Sequence, residues 1–120
     1  MSLEDIKNKI LAFEPIFHHP ELGTKREDFA RVMGDDYWET GASGKRYDRE
    51  YILDVLEERY SKPFEDEWKI TDAKVQPLKT NLYLFTYILD KGGRTSSRST
   101  IWEETENGFI AHYHQGTIVE

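Results

Sequence analysis

Two glycine-containing pairs, Gly92-Gly93 and Asn107-Gly108, constrain this chain more than any other feature. Such residues tolerate the positive φ that two-residue hairpin turns require. On either side, apolar and polar residues alternate with a period of two, which predicts three strands: Asn81–Asp90, Arg94–Glu104 and Phe109–Thr117. If each pair is the loop itself, Lys91 faces Arg94 and Glu106 faces Phe109. Counting outward sets Tyr83 opposite Trp102, Phe85 opposite Thr100, Tyr87 opposite Arg98, Trp102 opposite Tyr113 and Thr100 opposite Gln115. One face of the meander then holds Tyr83, Phe85, Tyr87, Arg98, Thr100, Trp102, Tyr113 and Gln115. The other holds Leu84, Thr86, Ile88, Ser97, Ser99, Ile101, Glu103, His112 and His114, with Glu103 beside His112. A slip of one residue at either turn would exchange the two faces.

Upstream the period is that of a helix. Ser2 and Asp5 have capping-box spacing, and Leu3, Ile6, Ile10, Phe13 and Phe17 follow at intervals of three or four. Pro15 disturbs the end of this helix and Pro20 closes it. Thr24 and Glu27 predict the cap of a short second helix with Phe29, Val32 and Met33 inward and Gly34 as its stop. Asp36–Thr40 reads as a short strand ended by Gly41-Ala42-Ser43-Gly44. Asp48 caps a third helix whose inward side carries Tyr51, Ile52, Val55, Leu56 and Tyr60, ending by Pro63. Trp68, Ile70 and Val75 predict one more strand. Helices first and an antiparallel meander afterwards is an α+β arrangement, in one domain spanning residues 1–120.

Composition narrows the function. Residues 1–66 carry 10 basic and 16 acidic side chains and residues 67–120 carry 6 and 7, giving the formal charge of -7. No cluster of Lys and Arg is present to displace the counterions of a phosphate backbone, so nucleic acid is not an expected partner. The absence of Cys excludes disulfides, thiol nucleophiles and thiolate metal sites. No apolar run is long enough to span a membrane and the first residues are too acidic for a signal peptide, so a cytoplasmic protein is expected. His112 and His114, two apart on a strand, would point the same way, but a third ligand would have to come from Glu120 or His18-His19; no metal or cofactor is expected. Seven Tyr among the rings predict a wet, ring-lined hollow, because buried hydroxyls need partners.

The runs Arg98-Ser99-Thr100-Ile101-Trp102 and Tyr113-His114-Gln115-Gly116-Thr117, with Asp35–Gly44 and Tyr47-Asp48-Arg49 upstream, resemble a small family of unknown function within the nuclear transport factor 2-like superfamily. That superfamily includes the SnoaL-like and ketosteroid isomerase-like proteins. Ile118 departs from the Pro usual there. The resemblance implies a cone, in which a curved antiparallel sheet wraps around N-terminal helices and encloses a pocket. It implies little about function, since isomerases, dehydratases, cyclases and binding or assembly domains share that scaffold.

The expected site is the ring-bearing face together with Trp38: Trp38, Tyr83, Phe85, Tyr87, Arg98, Thr100, Trp102, Tyr113 and Gln115 around a small, partly polar organic ligand. Arg98 would anchor an anion or carbonyl among the rings. For catalysis on a carbonyl compound the candidate groups are His114, Asp36 and Tyr113, a His or Asp base with a Tyr acid, and the residues leave open whether any reaction occurs. The face with Leu84, Ile88, Ser97, Ser99, Ile101 and His114 is less polar than a solvated face and is expected to pair two copies into a homodimer. A structural or assembly domain with a filled pocket is the third reading.

Overall fold

The structure is a computed structural model that describes residues 2–17, 23–61 and 68–119. Helix α1 (Leu3–Phe13) begins with the expected capping box: the Asp5 amide donates to Ser2 Oγ at 3.1 Å and the Ser2 amide donates to the Asp5 carboxylate at 3.3 Å. Pro15 lacks the amide hydrogen that would continue the ladder, and the chain tightens into a 3₁₀ turn at Glu14–Phe17. Pro20 and Pro63 lie outside the described residues.

Helix α2 (Arg26–Ala30) starts one residue later than expected, its cap formed by Lys25 and Asp28 rather than Thr24 and Glu27. Met33 and Gly34 belong to strand β1 (Met33–Thr40), not to a helix end. Strand β2 (Arg46–Asp48) folds back on β1, and helix α3 (Arg49–Tyr60) follows, with the Tyr51 amide donating to the Asp48 side chain at 2.9 Å. Its buried residues are Ile52, Leu53, Leu56 and Tyr60. Tyr51, expected inward, is exposed and stacks on Tyr47 with centroids 4.7 Å apart. Arg26 reaches from α2 to Glu50 and Asp54 of α3, each at 2.7 Å.

Strands β3 (Trp68–Lys79), β4 (Leu82–Lys91), β5 (Arg94–Thr105) and β6 (Gly108–Ile118) complete a six-stranded sheet in the order β2-β1-β6-β5-β4-β3. All pairs are antiparallel except β1 with β6, which run parallel. Ile6, Ile10, Phe29, Ile52, Leu53 and Leu56 from the helices pack with Phe85, Tyr87, Leu89, Trp102 and Phe109 of the sheet. The helices therefore cover one face, and buried rings dominate the core because each removes a large area from water.

The register of β4 with β5 is the expected one: Lys91 pairs with Arg94, Tyr87 with Arg98, Phe85 with Thr100 and Tyr83 with Trp102. Gly92 and Gly93 have φ of 57° and 79°, the turn that two-residue hairpins favour. The second turn is displaced. Thr105 pairs with Gly108, so the loop is Glu106-Asn107, and Trp102 pairs with Ala111. Between Trp102 and Ile101 the register then shifts by one residue on β6, after which Ile101 pairs with Tyr113, Thr100 with His114 and Arg98 with Gly116. Such a bulge turns every following side chain to the opposite face. His114 and Gly116 are therefore inside, whereas Tyr113 and Gln115 are outside, the reverse of the expectation for all three named side chains.

Candidate binding site

Glu14 is the residue the sequence reading passed over. It sits where α1 tightens before Pro15 and is fully buried. Among the described residues its carboxylate accepts from three donors: Tyr87 Oη–H to Oε2 at 2.6 Å, Thr100 Oγ1–H to Oε2 at 2.9 Å, and Trp102 Nε1–H to Oε1 at 2.8 Å. Burial opposes its charge and pushes its pKa up to about 7, with the three hydrogen bonds and the Arg98 charge limiting the rise. The signal for it was present: Glu14 lies four residues after Ile10 on the apolar stripe of α1, where a charged side chain needs a reason.

On the far side of Thr100 lies His114, also buried, with Nδ1 2.7 Å from Thr100 Oγ1 and 3.5 Å from Glu14 Oε2. Burial and then the Arg98 charge push its pKa down to about 3, so the ring is neutral near neutral pH. Its Nε2 is 3.4 Å from a guanidinium nitrogen of Arg98. Arg98 is steadied by donating from Nε to Ser96 Oγ at 2.9 Å. Gly116 makes room for the guanidinium: a Cβ there would come within 2.6 Å of its central carbon. Beside His114, β1 contributes Glu39, which accepts from Tyr37 Oη–H at 2.8 Å and whose pKa burial raises.

These groups wall a cavity of about 160 Å³ under α3, lined by Glu39, Arg59, Lys91, Arg98 and His114 with Ile52, Val55 and Leu56 of the helix. A more open hollow of about 390 Å³ shares Lys91 and Arg98 with it and adds Arg94. The inner cavity is well below the roughly 300–1,000 Å³ of drug-sized sites, so a molecule of a few heavy atoms fits it.

Of the residues expected to surround a ligand, Arg98 lines this cavity. Phe85, Tyr87, Thr100 and Trp102 share its face but are core, and Tyr83 is half-buried against the same cluster. Trp38, Tyr113 and Gln115 lie on the other face. Trp38 is 41% exposed, its ring 4.5 Å from that of Tyr113, and Tyr113 Oη–H donates to Thr40 Oγ1 at 2.8 Å. Among the proposed catalytic groups only His114 is internal; Asp36 is exposed beside Asp35 and Trp38. The bulge also separates the two histidines: His112 stays outside, 2.7 Å from Glu103 as expected, and cannot share a metal with His114. His114 likewise drops out of the proposed dimer face. Glu120 and His18-His19 lie outside the described residues. No group of three or more metal-binding side chains is found among the described residues, and no described helix is long and apolar enough to cross a membrane.

No family model and no curated protein matches the chain in sequence. Solved structures do match. A candidate dehydratase of the nuclear transport factor 2-like family from Streptomyces avermitilis superposes with a TM-score of 0.73 at 13% identity, over 98% of this chain and 96% of that one. A nuclear transport factor 2-like protein of unknown function from Silicibacter pomeroyi gives 0.72 at 14% identity, over 99% and 100%. The fold is that of the nuclear transport factor 2-like proteins. The CaMKII hub homology domain of Chlamydomonas reinhardtii shares it, with a TM-score of 0.74 at 14% identity over the whole of both chains. At such identities the likeness carries the architecture, and function has to be argued from this chain's own site.

Proposed function

We propose that this nuclear transport factor 2-like domain binds a small organic anion, of the size of a short carboxylate, in the cavity under α3 with Arg98 as its anchor. The observation that carries this reading is electrostatic. In a chain with a formal charge of -7, the described residues at the cavity place the Arg98 guanidinium beside a neutral His114, with Arg59, Lys91 and the carboxylate Glu39 also on its wall. A guanidinium held at Nε by Ser96 presents its remaining N–H groups as a fork that matches a carboxylate. Arg94 on the wall of the open hollow adds a cation on the path to Arg98 and would steer an anion inward. Screening short carboxylates against the wild type and Arg98→Gln in parallel tests the assignment.

A second reading, acid–base catalysis on a bound carbonyl compound, draws support from the Glu14–Thr100–His114 contact chain ending at the cavity wall. Incorporation of solvent deuterium at the methyl carbon of pyruvate would report it. A homodimer through the sheet face that bears Leu84, Ile88, Ser97, Ser99 and Ile101 belongs to the same proposal. These residues are turned away from the helices, and Leu84, Ile88 and Ile101 are only half-buried. The relatedness in fold to a hub domain supports assembly of this kind.

A further inference from the structure

We propose that Glu14, acting through Thr100, sets whether the cavity-facing nitrogen of His114 accepts or donates a hydrogen bond, and so couples occupation of the Arg98 site to uptake of one proton. The inference rests on the anion-binding reading for its role. Its geometry stands on its own.

Two hydrogen-bond patterns satisfy the same atoms. Trp102 Nε1–H and the Arg98 guanidinium can only donate, whereas Thr100 Oγ1 donates once and accepts. With Glu14 ionised, Thr100 gives its single proton to Glu14 Oε2 at 2.9 Å. His114 Nδ1 must then donate to Thr100 Oγ1 across 2.7 Å, and Nε2 is the bare nitrogen that accepts from Arg98 at 3.4 Å. With Glu14 protonated, the direction reverses: Glu14 Oε2–H donates to Thr100, Thr100 donates to Nδ1, and Nε2 carries the hydrogen. The exchange balances. A proton from the cavity binds Nε2, the Nδ1 proton passes to Thr100 Oγ1, and the former Thr100 proton passes to Glu14. The imidazole is neutral before and after, and the only change of charge is on Glu14.

The second pattern sets Nε2–H against the N–H groups of Arg98, so that two donors meet where a donor had met an acceptor. An anion oxygen in the cavity would accept from both, so anion and proton favour each other's binding. Among the described residues, the titratable and charged groups facing Glu14 are Tyr37 of β1, Tyr87 of β4, Arg98 of β5 and His114 of β6, with Glu39 bonded to Tyr37 and Arg59 of α3 beyond Glu39. Tyr37 and Tyr87 are held neutral by burial, which leaves the carboxyls of Glu14 and Glu39, both raised by burial, as the described groups whose charge can change. Glu39 has no contact with Thr100 or Nδ1 in the chain described, so substitution distinguishes the two.

Long-range ¹H–¹⁵N correlation spectra of the full chain read the tautomer directly. The expected result in the absence of any added anion is a neutral His114 that passes from Nδ1–H at pH 9 to Nε2–H at pH 5, with its midpoint near 7, where burial has moved Glu14. Glu14→Gln, whose amide donates to Thr100 at every pH, holds the Nε2–H form throughout. Thr100→Val removes the link and the pH-dependent exchange, while Glu39→Gln preserves it. With acetate as the probe, the wild-type dissociation constant rises by about tenfold per pH unit above the midpoint and that of Glu14→Gln stays level. A His114 that keeps one tautomer from pH 5 to 9, or exchanges unchanged in Thr100→Val, overturns the coupling. If acetate fails to bind while the tautomer still exchanges, the anion reading fails and the hydrogen-bond switch stands.

Discussion

The Glu14 carboxylate and the His114 imidazole lie 3.5 Å apart with their side chains almost wholly excluded from solvent, one brought by the end of the first helix and the other by the last strand. Burial acts on them in opposite senses: it raises the pKa of the acid and lowers that of the base. Both are consequently neutral over a range in which either alone in water would be charged.

This opposition fixes the sign of two pH dependences. Glu14 binds its proton more tightly in the folded state, so its contribution favours folding at acid pH and is lost as pH rises from about 4.5 to about 7. His114 binds its proton less tightly when folded, so its contribution is lost as pH falls from about 6.5 to about 3. Between those limits the slopes oppose in the wild type. Glu14→Gln should expose the histidine, with unfolding free energy rising by up to about 1.4 kcal/mol per pH unit between pH 4 and 6. His114→Gln should expose the acid and fall over the same interval. Urea denaturation at a series of pH values measures both, and slopes of the same sign in the two variants would contradict the assignment.

Tyr87→Phe removes the shortest of the three hydrogen bonds to Glu14. Hydrogen bonds to a charged group contribute about 1.5–3 kcal/mol. The loss should approach that range at pH 8, where Glu14 is ionised, and be smaller at pH 5, where the acid is neutral. Equal destabilisation at both pH values would show that the tyrosine serves packing alone.

Gly116→Ala should leave the strand intact and disable the cavity. The glycine is in extended strand without positive φ, so alanine meets no backbone strain, but its methyl group would occupy the space of the Arg98 guanidinium. An unchanged circular dichroism spectrum with acetate binding weakened at least tenfold is the expected outcome. Unimpaired binding would mean that Arg98 does not work from its position over Gly116.

The outer sheet face gives a separate test of assembly. Ile88→Glu places a charge opposite Ser97 on the face assigned to the dimer, where burial in an apolar contact would penalise it. Sedimentation should show a dimer in the wild type and a 14.2 kDa species in the variant. A wild-type monomer at micromolar concentration would remove the dimer from the proposal.

Much of this architecture was legible because local chemistry dictated it. Ser2 with Asp5, Asp48 at the start of α3, and Gly92-Gly93 each set a boundary through a hydrogen bond or a φ value that few other residues could supply. The β4–β5 register followed from the turn by counting. The β5–β6 register did not, because the bulge beside Ala111 and His112 answers to the packing of three strands and leaves no mark in a local pattern. That single inserted residue exchanged His114 with Tyr113 and Gln115, and with them the composition of the site. The parallel pairing of β1 with β6 was equally hidden, since a short strand between helices carries no record of its partner. Glu14 was visible as a charge on an apolar helical stripe, and its donors, seventy or more residues away in the chain, were not. The tyrosines expected to wall a hollow instead divide between core and outer face, and the polar work falls to Arg98, His114 and Glu39.

Titration of the ¹⁵N-labelled wild type and Arg98→Gln with acetate at pH 6 measures the anion site most directly. The expected result is saturable movement of the Arg98 Nε–H and His114 ring resonances in the wild type and its loss in Arg98→Gln. Shifts that fail to saturate, or that persist unchanged when Arg98 is replaced, would contradict the assignment of this cavity to a small organic anion.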